Sequence, residues 1–430
     1  MNDARHDADC YTEDWALARD AADPLAPLRG RFHIPVQDGR EQLYFCGNSL
    51  GLQPRAAREA VLAELDDWQH YAVESHFKGA RPWFSYHELL REPLATVVGA
   101  EPLEVVAMNS LTVNLHLMMV SFYRPSAERP AILIEKHAFP SDRHAVESQI
   151  RFHGRDPARD LIELEGDEPG GTISEAALER AIAEHGGRCA LILMPGVQYL
   201  TGQAFDLASI VRMGHAQGCV VGFDLAHAAG NLPLALHDSG ADFAVWCSYK
   251  YLNAGPGAVA GCFVHARHAA SDRPRFAGWW GHEPSTRFRM EPQFVPSRGA
   301  DGWQLSNPPI VAMAPLRVSL DLFVGAGMDA LRAKSESLTG YLDTLIARQL
   351  GHVLERITPA APARRGCQLS LRVRGGRESG RALFEHLQRC GVVCDWREPD
   401  VLRFSPTPSY NRHTDVLHLV RAIQDWARSD

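Results

Sequence analysis

The sequence predicts an α/β fold: a mostly parallel β-sheet covered by helices, followed by a smaller α+β lobe. Short apolar runs alternate with helical segments between residues 131 and 247, and this βαβ alternation is typical of a parallel sheet. The run 259–264 follows the preceding strand too closely for a helical crossover, so we expect it to be antiparallel. The predicted strands span residues 42–46, 131–135, 190–194, 219–223, 243–247 and 259–264.

Helical patterns occupy most of the intervening chain. Proline is favoured at a first helical position, so Pro54 favours a helix start there. The predicted helical segments are 54–69, 113–123, 176–185, 207–217 and a long stretch at 310–350.

The N-terminal and C-terminal parts differ from this pattern. The first 40 or so residues are polar, contain Pro24, Pro27 and Pro35, and predict an irregular arm lying over another part of the molecule. Residues 278–309, rich in Trp, Arg and Pro, predict an irregular loop. After the proline-rich break at 359–362, the small lobe is predicted from 368–373 (strand), 377–390 (helix) and 392–403 (strand).

Composition narrows the class of protein. The chain has 430 residues and a net charge of −8 without a long basic run, which gives no indication of nucleic-acid binding. The N-terminus lacks the apolar region of a secretory signal, and the longest apolar runs are too short to span a membrane. The nine cysteines form no C-x-x-C pair and no zinc-spaced set, so we expect reduced thiols, a cytoplasmic location and no metal.

Two polar residues, Asp224 and Lys250, follow apolar runs where buried strands should end. Ligands in open α/β sheets bind outside the carboxyl ends of strands, so both are expected at a ligand site. The pair suits pyridoxal phosphate (PLP), because the lysine can form a Schiff base and the aspartate can pair with the pyridinium nitrogen. His227 would lie nearby, although Asp224 alone could be a helix N-cap and His227 a structural histidine.

Three further motifs each have two interpretations. Residues 109–112 open a helix whose N-terminus could bind phosphate, or they form a plain Ser/Thr cap. Residues 47–51 match G-x-S-x-G, which would make Ser49 the nucleophile of a serine hydrolase, although no HGGG-type motif precedes it. Arg403 offers a guanidinium fork for a substrate carboxylate, or is a surface arginine on a strand.

Several segments together resemble the kynureninase family, which are PLP enzymes of fold type I, the aspartate aminotransferase-like superfamily. The resemblance covers nearly the whole chain, and blocks 222–228 and 246–255 are specific to the family, whereas the superfamily shares only Asp224 and Lys250. The segments that carry it are 44–51 (YFCGNSLG), 108–116 (MNSLTVNLH), 139–142 (FPSD), 222–228 (GFDLAHA), 246–255 (WCSYKYLNAG), 278–282 (GWWGH) and 305–309 (LSNPP).

The resemblance implies a domain plan and a cofactor site. A seven-stranded large PLP-binding domain would span residues 46–310, a small α+β domain 311–430, and an arm at 1–45 would join the small domain. Trp279 and Asn307 would reach the cofactor from the partner subunit of a homodimer. The other residues implied at the cofactor are Leu111, Thr112 and Tyr249 at the phosphate, Phe139 stacked on the ring, Pro140, Ser141, Asp142 and His227 along the pocket, Asp224 at the ring nitrogen and Lys250 as the covalent anchor.

The resemblance also implies an activity on a small molecule: hydrolysis of L-kynurenine or 3-hydroxykynurenine to anthranilate or 3-hydroxyanthranilate and L-alanine. This reaction belongs to tryptophan degradation and NAD biosynthesis. Arg403 would bind the α-carboxylate, and Tyr249 is expected to act as general acid–base beside Lys250. The residues implied at the aromatic part of the substrate are His76, Ser306 and Asn307.

One position departs from the family pattern, and three rival functions stay open. Many family members carry a hydroxyl residue where this chain has Pro195, so a contact from that position to the cofactor is in doubt. A cysteine desulfurase-like PLP lyase would need a reactive cysteine on a mobile loop. The other rivals are a serine hydrolase using Ser49 and a binding module that senses PLP.

Overall fold

The computed structural model describes residues 9–429, so residues 1–8 of the predicted arm and Asp430 lie outside the described part. The arm was predicted to be irregular, and this is wrong. Thr12 starts a helix because its hydroxyl accepts a hydrogen bond from the backbone N–H of Trp15 at 3.2 Å. The elements of the arm are α1 (Glu13–Ala21), α2 (Ala26–Arg29), β1 (Val36–Gln37), β2 (Arg40–Glu41) and β3 (Leu43–Tyr44).

The large sheet has seven strands: β4 (Val105–Ala107), β5 (Ala131–Glu135), β6 (Leu161–Leu164), β7 (Cys189–Pro195), β8 (Val220–Asp224), β9 (Phe243–Trp246) and β10 (Gly261–Val264). Their order across the sheet is β4–β10–β9–β8–β7–β5–β6. β10 runs antiparallel to both of its neighbours, and the other strands are mutually parallel. The predicted α/β fold and the antiparallel strand at 259–264 are therefore confirmed.

The helix α3 (Ala57–Tyr71) packs against the later helix Ile310–Ala326. The helices next to the two faces of the sheet are α4 (Arg91–Val98), α5 (Leu111–Phe122), α6 (Pro140–Phe152), α7 (Pro157–Asp160), α8 (Glu175–His185), α9 (Leu207–Ala216) and α10 (Leu236–Ser239). Each face has its own apolar core. Along β7, Ile192 and Met194 join one core while Leu191 and Leu193 join the other, since successive side chains of a strand point to opposite faces. A strand buried on both sides explains the continuous apolar runs in the sequence.

The long helical stretch predicted at 310–350 is two helices, α11 (Ile310–Ala326) and α12 (Met328–Gln349), which meet at 81°. Gly327 between them has φ of +77°, a left-handed conformation that glycine adopts without steric cost. Within residues 9–429 no single helix is long and apolar enough to cross a membrane. Only the combined length and composition of α11 and α12 would suffice, and the two helices are bent relative to each other. The stretch 278–309 is irregular apart from three short 3₁₀ helices, as predicted.

The small lobe contains β11 (Leu354–Arg356), β12 (Leu369–Val373), α13 (Gly376–Arg389), β13 (Val392–Val393), β14 (Asp395–Arg397), β15 (Val401–Phe404) and α14 (His413–Ser429). Four of the strands form an antiparallel sheet in the order β11–β12–β15–β14. The remaining strand, β13, pairs in parallel with β3 of the arm. The single strand expected at 392–403 is thus three short strands.

The described part of the arm completes the core of the small lobe. Cys10, Ala16 and Phe45 are buried in the same apolar cluster as Leu342 and Leu419.

Asp20 accepts hydrogen bonds from the backbone N–H groups of His413 and Thr414 at 2.6 and 3.1 Å, and so caps the start of α14 from outside that helix. The exact boundaries between the domains stay a prediction.

We expect Asp20→Ala to lower the free energy of unfolding by about 1–2 kcal/mol, because the first N–H groups of α14 lose their acceptor. Burial disfavours the charged carboxylate, but hydrogen bonds from His413 and Thr414 outweigh this effect and lower the pKa of Asp20 to about 2. The stabilisation is therefore present above about pH 4 and is lost as the pH falls towards 2. Urea unfolding at pH 7 and pH 3 measures it, with exposed Asp14→Ala as control; equal losses in both variants at pH 7 would contradict the capping role.

Candidate active site

A cavity of about 160 Å³ lies at the carboxyl edge of the large sheet. The parallel strands β5, β7 and β8 end there at Glu135, Pro195 and Asp224. Most of the residues predicted to bind a cofactor meet in this cavity. Its lining consists of Leu111, Thr112, Glu135, Phe139, Ser141, Asp142, Pro195, Val197, Tyr199, Asp224, Ala226, His227, Tyr249 and Lys250.

Lys250 lies in the tight loop between β9 and β10. The N–H of Asn253 donates to Lys250 O at 2.9 Å and closes the loop, and Lys250 Nζ lies 5.8 Å from the centre of the Phe139 ring. Gly51 packs directly against this loop, because its N–H donates to Tyr249 O at 2.8 Å. A Cβ at position 51 would lie 2.3 Å from Lys250 O, so only glycine fits there.

The segment 47–51 is therefore a support for the Lys250 loop. Ser49 is exposed in a turn, and the next helix, α3, begins only at Ala57. A nucleophile elbow needs the helix to follow the serine directly. The serine hydrolase interpretation of Ser49 lacks this geometry.

Three carboxyl groups, those of Glu135, Asp142 and Asp224, are buried together along the cavity. Burial raises the pKa of Asp142 well above its ordinary value, and the charge of Asp224 raises it further. Burial likewise raises the pKa of Glu135 to about 8, with Asp224 contributing. Within residues 9–429, Asp142 Oδ1 has no hydrogen-bond partner. Buried carboxylates are stabilised by a neighbouring cation, so this side of the cavity suits a positively charged group.

The N-terminus of α5 meets the cavity at Leu111 and Thr112. The side chain of Ser110, the residue before the helix, makes no capping hydrogen bond, so the plain Ser/Thr cap is not formed. The hydroxyls of Thr112 and Ser141 lie 2.8 Å apart beside this helix start. First-turn N–H groups, the helix dipole and two hydroxyls together suit a phosphate group.

His227 is buried on the same side of the site as Asp224, three residues along the chain. Burial lowers the pKa of His227 well below its ordinary value, and the charges of Lys250 and Arg403 lower it further. The imidazole is therefore neutral at physiological pH. A neutral ring adds no cation to the site, so the carboxylate of Asp224 stays available to a cationic ligand.

Arg403 is not a surface arginine, because its side chain is almost completely buried. It forms an ion pair with Asp395, and its Nη1 donates to Tyr199 O at 2.5 Å. Tyr199 lines the cavity and meets the Phe139 ring edge-on at 5.2 Å between centroids. The guanidinium is thus held one residue away from the cavity.

Besides Arg403, five predicted site residues do not line this cavity: His76, Pro140, Trp279, Ser306 and Asn307. His76 is partly buried, and its ring meets the Trp83 ring edge-on. Trp279 is 41% exposed, with its indole N–H donating to Arg287 O at 3.0 Å, and both Ser306 and Asn307 are exposed. That Trp279 and Asn307 act across a subunit interface, and that His76, Ser306 and Asn307 contact the substrate, stays a prediction.

The sequence interpretation missed several residues of the cavity. Glu135 ends β5 at the same edge as Asp224, so the strand-end rule could have found it. Tyr199, Val197 and Ala226 lie in connections that carry no periodic signal. Pro195 lines the cavity without a hydroxyl, in line with the departure noted in the sequence.

Comparison with known proteins decides the family. The chain is 66% identical to the kynureninase of Xanthomonas euvesicatoria pv. vesicatoria (strain 85-10), over 97% of this chain and 99% of that protein. The chain belongs to the kynureninase family. The kynureninase of Stenotrophomonas maltophilia (strain K279a) is 65% identical over 98% of this chain and 99% of that protein. The model of the kynureninase C-terminal domain matches residues 331–423. The resemblance seen in the sequence is confirmed.

Solved structures share the fold with this kynureninase family chain at much lower identity. A cysteine desulfurase from Thermococcus onnurineus NA1 has a TM-score of 0.73 at 15% identity, covering 90% of this chain and 95% of that one. The cysteine desulfurase CsdA from Escherichia coli has a TM-score of 0.72 at 18% identity, covering 94% and 98%. These likenesses confirm the predicted fold. PLP as the cofactor follows from membership in the kynureninase family.

A cysteine desulfurase-like reaction would need a reactive thiol near the cofactor. All nine cysteines lie within the described residues; seven are buried, Cys46 is partly buried, and Cys390 is exposed at the end of α13. Neither Cys46 nor Cys390 lines the cavity. Burial raises the pKa of the Cys46 thiol to about 12, which leaves it protonated. The chain therefore lacks the residue that this rival requires.

We expect Glu135→Gln to stabilise the PLP-free protein at alkaline pH. Because the folded-state pKa of Glu135 is raised, the wild type should lose stability as the pH rises from about 4.5 to about 8, by a few kcal/mol. The Gln side chain does not ionise, so the variant does not lose this stability as the pH rises. Thermal unfolding at pH 5 and pH 9 tests it, with Glu163→Gln on neighbouring β6 as control. A variant that is no more stable than the wild type at pH 9 would refute the buried neutral carboxyl.

Proposed function

We propose that this protein is a PLP-dependent kynureninase, which hydrolyses L-kynurenine and 3-hydroxykynurenine to anthranilate or 3-hydroxyanthranilate and L-alanine. The observation that carries the proposal is the identity of 66% to a kynureninase over almost the full length of both chains. The site supports it, because Lys250 and Asp224 share one cavity. A non-catalytic protein that only senses PLP would not need Lys250, Tyr249 and Arg403 together.

The cavity suits PLP in charge and in shape. The orphaned Oδ1 of Asp142 and the carboxylate of Asp224 would stabilise the protonated ring nitrogen. Phe139 offers an aromatic face beside Lys250 Nζ. The uncapped start of α5, with Thr112 and Ser141, would hold the phosphate.

Lys250 has two tasks in the proposed reaction. When bound, PLP accepts the electron pair released as bonds to Cα and Cβ of the substrate break. The Lys250 amine would hold the cofactor covalently, and as a free amine it would remove the proton from Cα of the substrate. Arg403 binds the α-carboxylate and fixes which bond at Cα faces Lys250.

Tyr249 is assigned to proton transfer further along the substrate. Burial raises the pKa of its phenol above the ordinary value, with the Cys247 thiol adding to the effect, so the hydroxyl is protonated at neutral pH. Water adds to the aryl ketone carbon, and the Cβ–Cγ bond of the hydrate then breaks to release anthranilate. Tyr249 donates the proton that Cβ needs to become the methyl group of alanine.

We further propose a homodimer in which each site borrows Trp279 and Asn307 from the partner subunit. Trp279, Phe288 and Phe77 are exposed by 41%, 52% and 64% and lie in one aromatic surface with Phe84. Monomeric proteins rarely expose contiguous apolar patches of this kind. A second copy covering this surface would bring His76, Ser306 and Asn307 near the substrate.

The proposed setting is tryptophan degradation and NAD biosynthesis in the cytoplasm. The location rests on nine free thiols, since oxidising compartments favour disulfides.

Lys250→Ala should reduce anthranilate formation by at least about a thousandfold, because both the covalent anchor and the base are lost. Fluorescence of released anthranilate, with L-kynurenine as substrate, measures the rate. Lys136→Ala, which removes a surface lysine paired with Glu165, serves as control and should leave the rate unchanged. Near wild-type turnover in Lys250→Ala would exclude the assigned role.

A shared site predicts complementation between inactive subunits. Lys250→Ala co-expressed with the double variant Trp279→Ala/Asn307→Ala should recover about a quarter of wild-type activity, since half of the dimers are mixed and each holds one intact site. Lys250→Ala co-expressed with Tyr249→Phe should recover none, because both residues come from one subunit. Equal recovery in the two mixtures, or none in either, would contradict the shared site.

A further inference from the structure

Three charged residues share one face of the small sheet beside Tyr199. Asp395 on β14 is the cross-strand partner of Arg403 on β15. Arg397 lies two residues after Asp395 on β14, and residues two apart on a strand point to the same face. The register therefore brings Asp395, Arg397 and Arg403 together.

Both arginines bind the same carboxylate oxygen. Arg397 Nη2 donates to Asp395 Oδ2 at 3.1 Å, and Arg403 Nη2 contacts that oxygen as well. Within the described residues, the Nε groups of Arg397 and Arg403 are buried and lack an acceptor. The cluster has more donors than acceptors, and this imbalance favours an additional anion.

The net charge of the cluster also favours an additional anion. One buried arginine paired with one aspartate would be neutral, whereas two arginines and one aspartate leave one positive charge. The neighbouring groups do not cancel it: burial raises the pKa of both the Cys46 thiol and the Tyr251 phenol, so both stay uncharged. Arg397 is partly exposed, but Arg403 is almost completely buried. A buried charge is costly unless a counter-ion balances it, and a carboxylate is such a counter-ion.

We propose that Arg397 is a positioning residue for the substrate carboxylate: by neutralising Asp395, it leaves Arg403 a full positive charge for the α-carboxylate. The inference rests on the proposed function and adds a second arginine to it. Without Arg397, Arg403 would remain in place, but Asp395 would already balance its positive charge. Its attraction for the substrate α-carboxylate would therefore fall.

The test compares ligands with and without the carboxylate on the holoenzyme. We expect Arg397→Gln to raise the KM for L-kynurenine about tenfold or more while changing kcat much less. The inhibition constant of kynurenamine, which lacks the carboxylate, should stay the same. Arg397→Lys should retain most of the affinity. Arg377→Gln, which breaks the exposed pair with Glu398 in the same lobe, is the control and should change neither constant.

A charge-restoring double variant separates this role from a structural one. Asp395→Asn/Arg397→Gln leaves Arg403 as the only charge of the cluster, so its KM for L-kynurenine should return towards the wild-type value. If Arg397→Gln does not fold, this double variant decides alone. A KM that stays as high as in the single variant, or equal weakening of L-kynurenine and kynurenamine, would overturn the inference. Wild-type protein that releases no anthranilate would instead overturn the proposed function on which it rests.

Discussion

The concentration of buried carboxyl groups at one edge of the large sheet is the constraint on which the site depends. Parallel strands end at that edge, so Glu135 and Asp224 meet there with Asp142 from the first turn of α6. The pKa values of Glu135 and Asp142 are raised because the carboxyl groups are dry and close together. This arrangement suits the positively charged ring nitrogen of the proposed cofactor, and the start of α5 with Thr112 and Ser141 suits its phosphate.

The two lobes are connected through the site and not only through the chain. Tyr199 follows a strand of the large sheet, yet its carbonyl accepts from Arg403 of the small sheet and from Gln368 Nε2 at 2.9 Å. The segment 47–51 supports the Lys250 loop through Gly51. Arg403 and Lys250, the residues proposed for carboxylate binding and for catalysis, thus belong to different lobes, and a change in either lobe is expected to affect both.

The sequence predicted those parts of the site that local rules govern. Asp224, Lys250 and the start of α5 follow from where apolar runs end and from helix N-terminal chemistry. Tyr199 could not be predicted, because its contact with Arg403 joins residues 204 apart in the chain. The sequence does contain signals for the start of α1: Thr12 as N-cap and two acidic residues in the first turn. The polar, proline-containing sequence around them favoured an irregular arm instead, and the helix was missed. The roles proposed for Trp279 and Asn307 require a second copy of the chain, which no local sequence pattern describes.

The most direct test is the visible absorption spectrum of the purified protein, recorded before and after addition of L-kynurenine, with anthranilate fluorescence followed in the same cuvette. A yellow protein whose band shifts as anthranilate appears is the predicted result, because cofactor and reaction then share one site. A yellow protein that releases no anthranilate would retain PLP and remove the reaction. A protein that stays colourless when PLP is supplied would contradict the assignment of Lys250 and of the carboxylates around it.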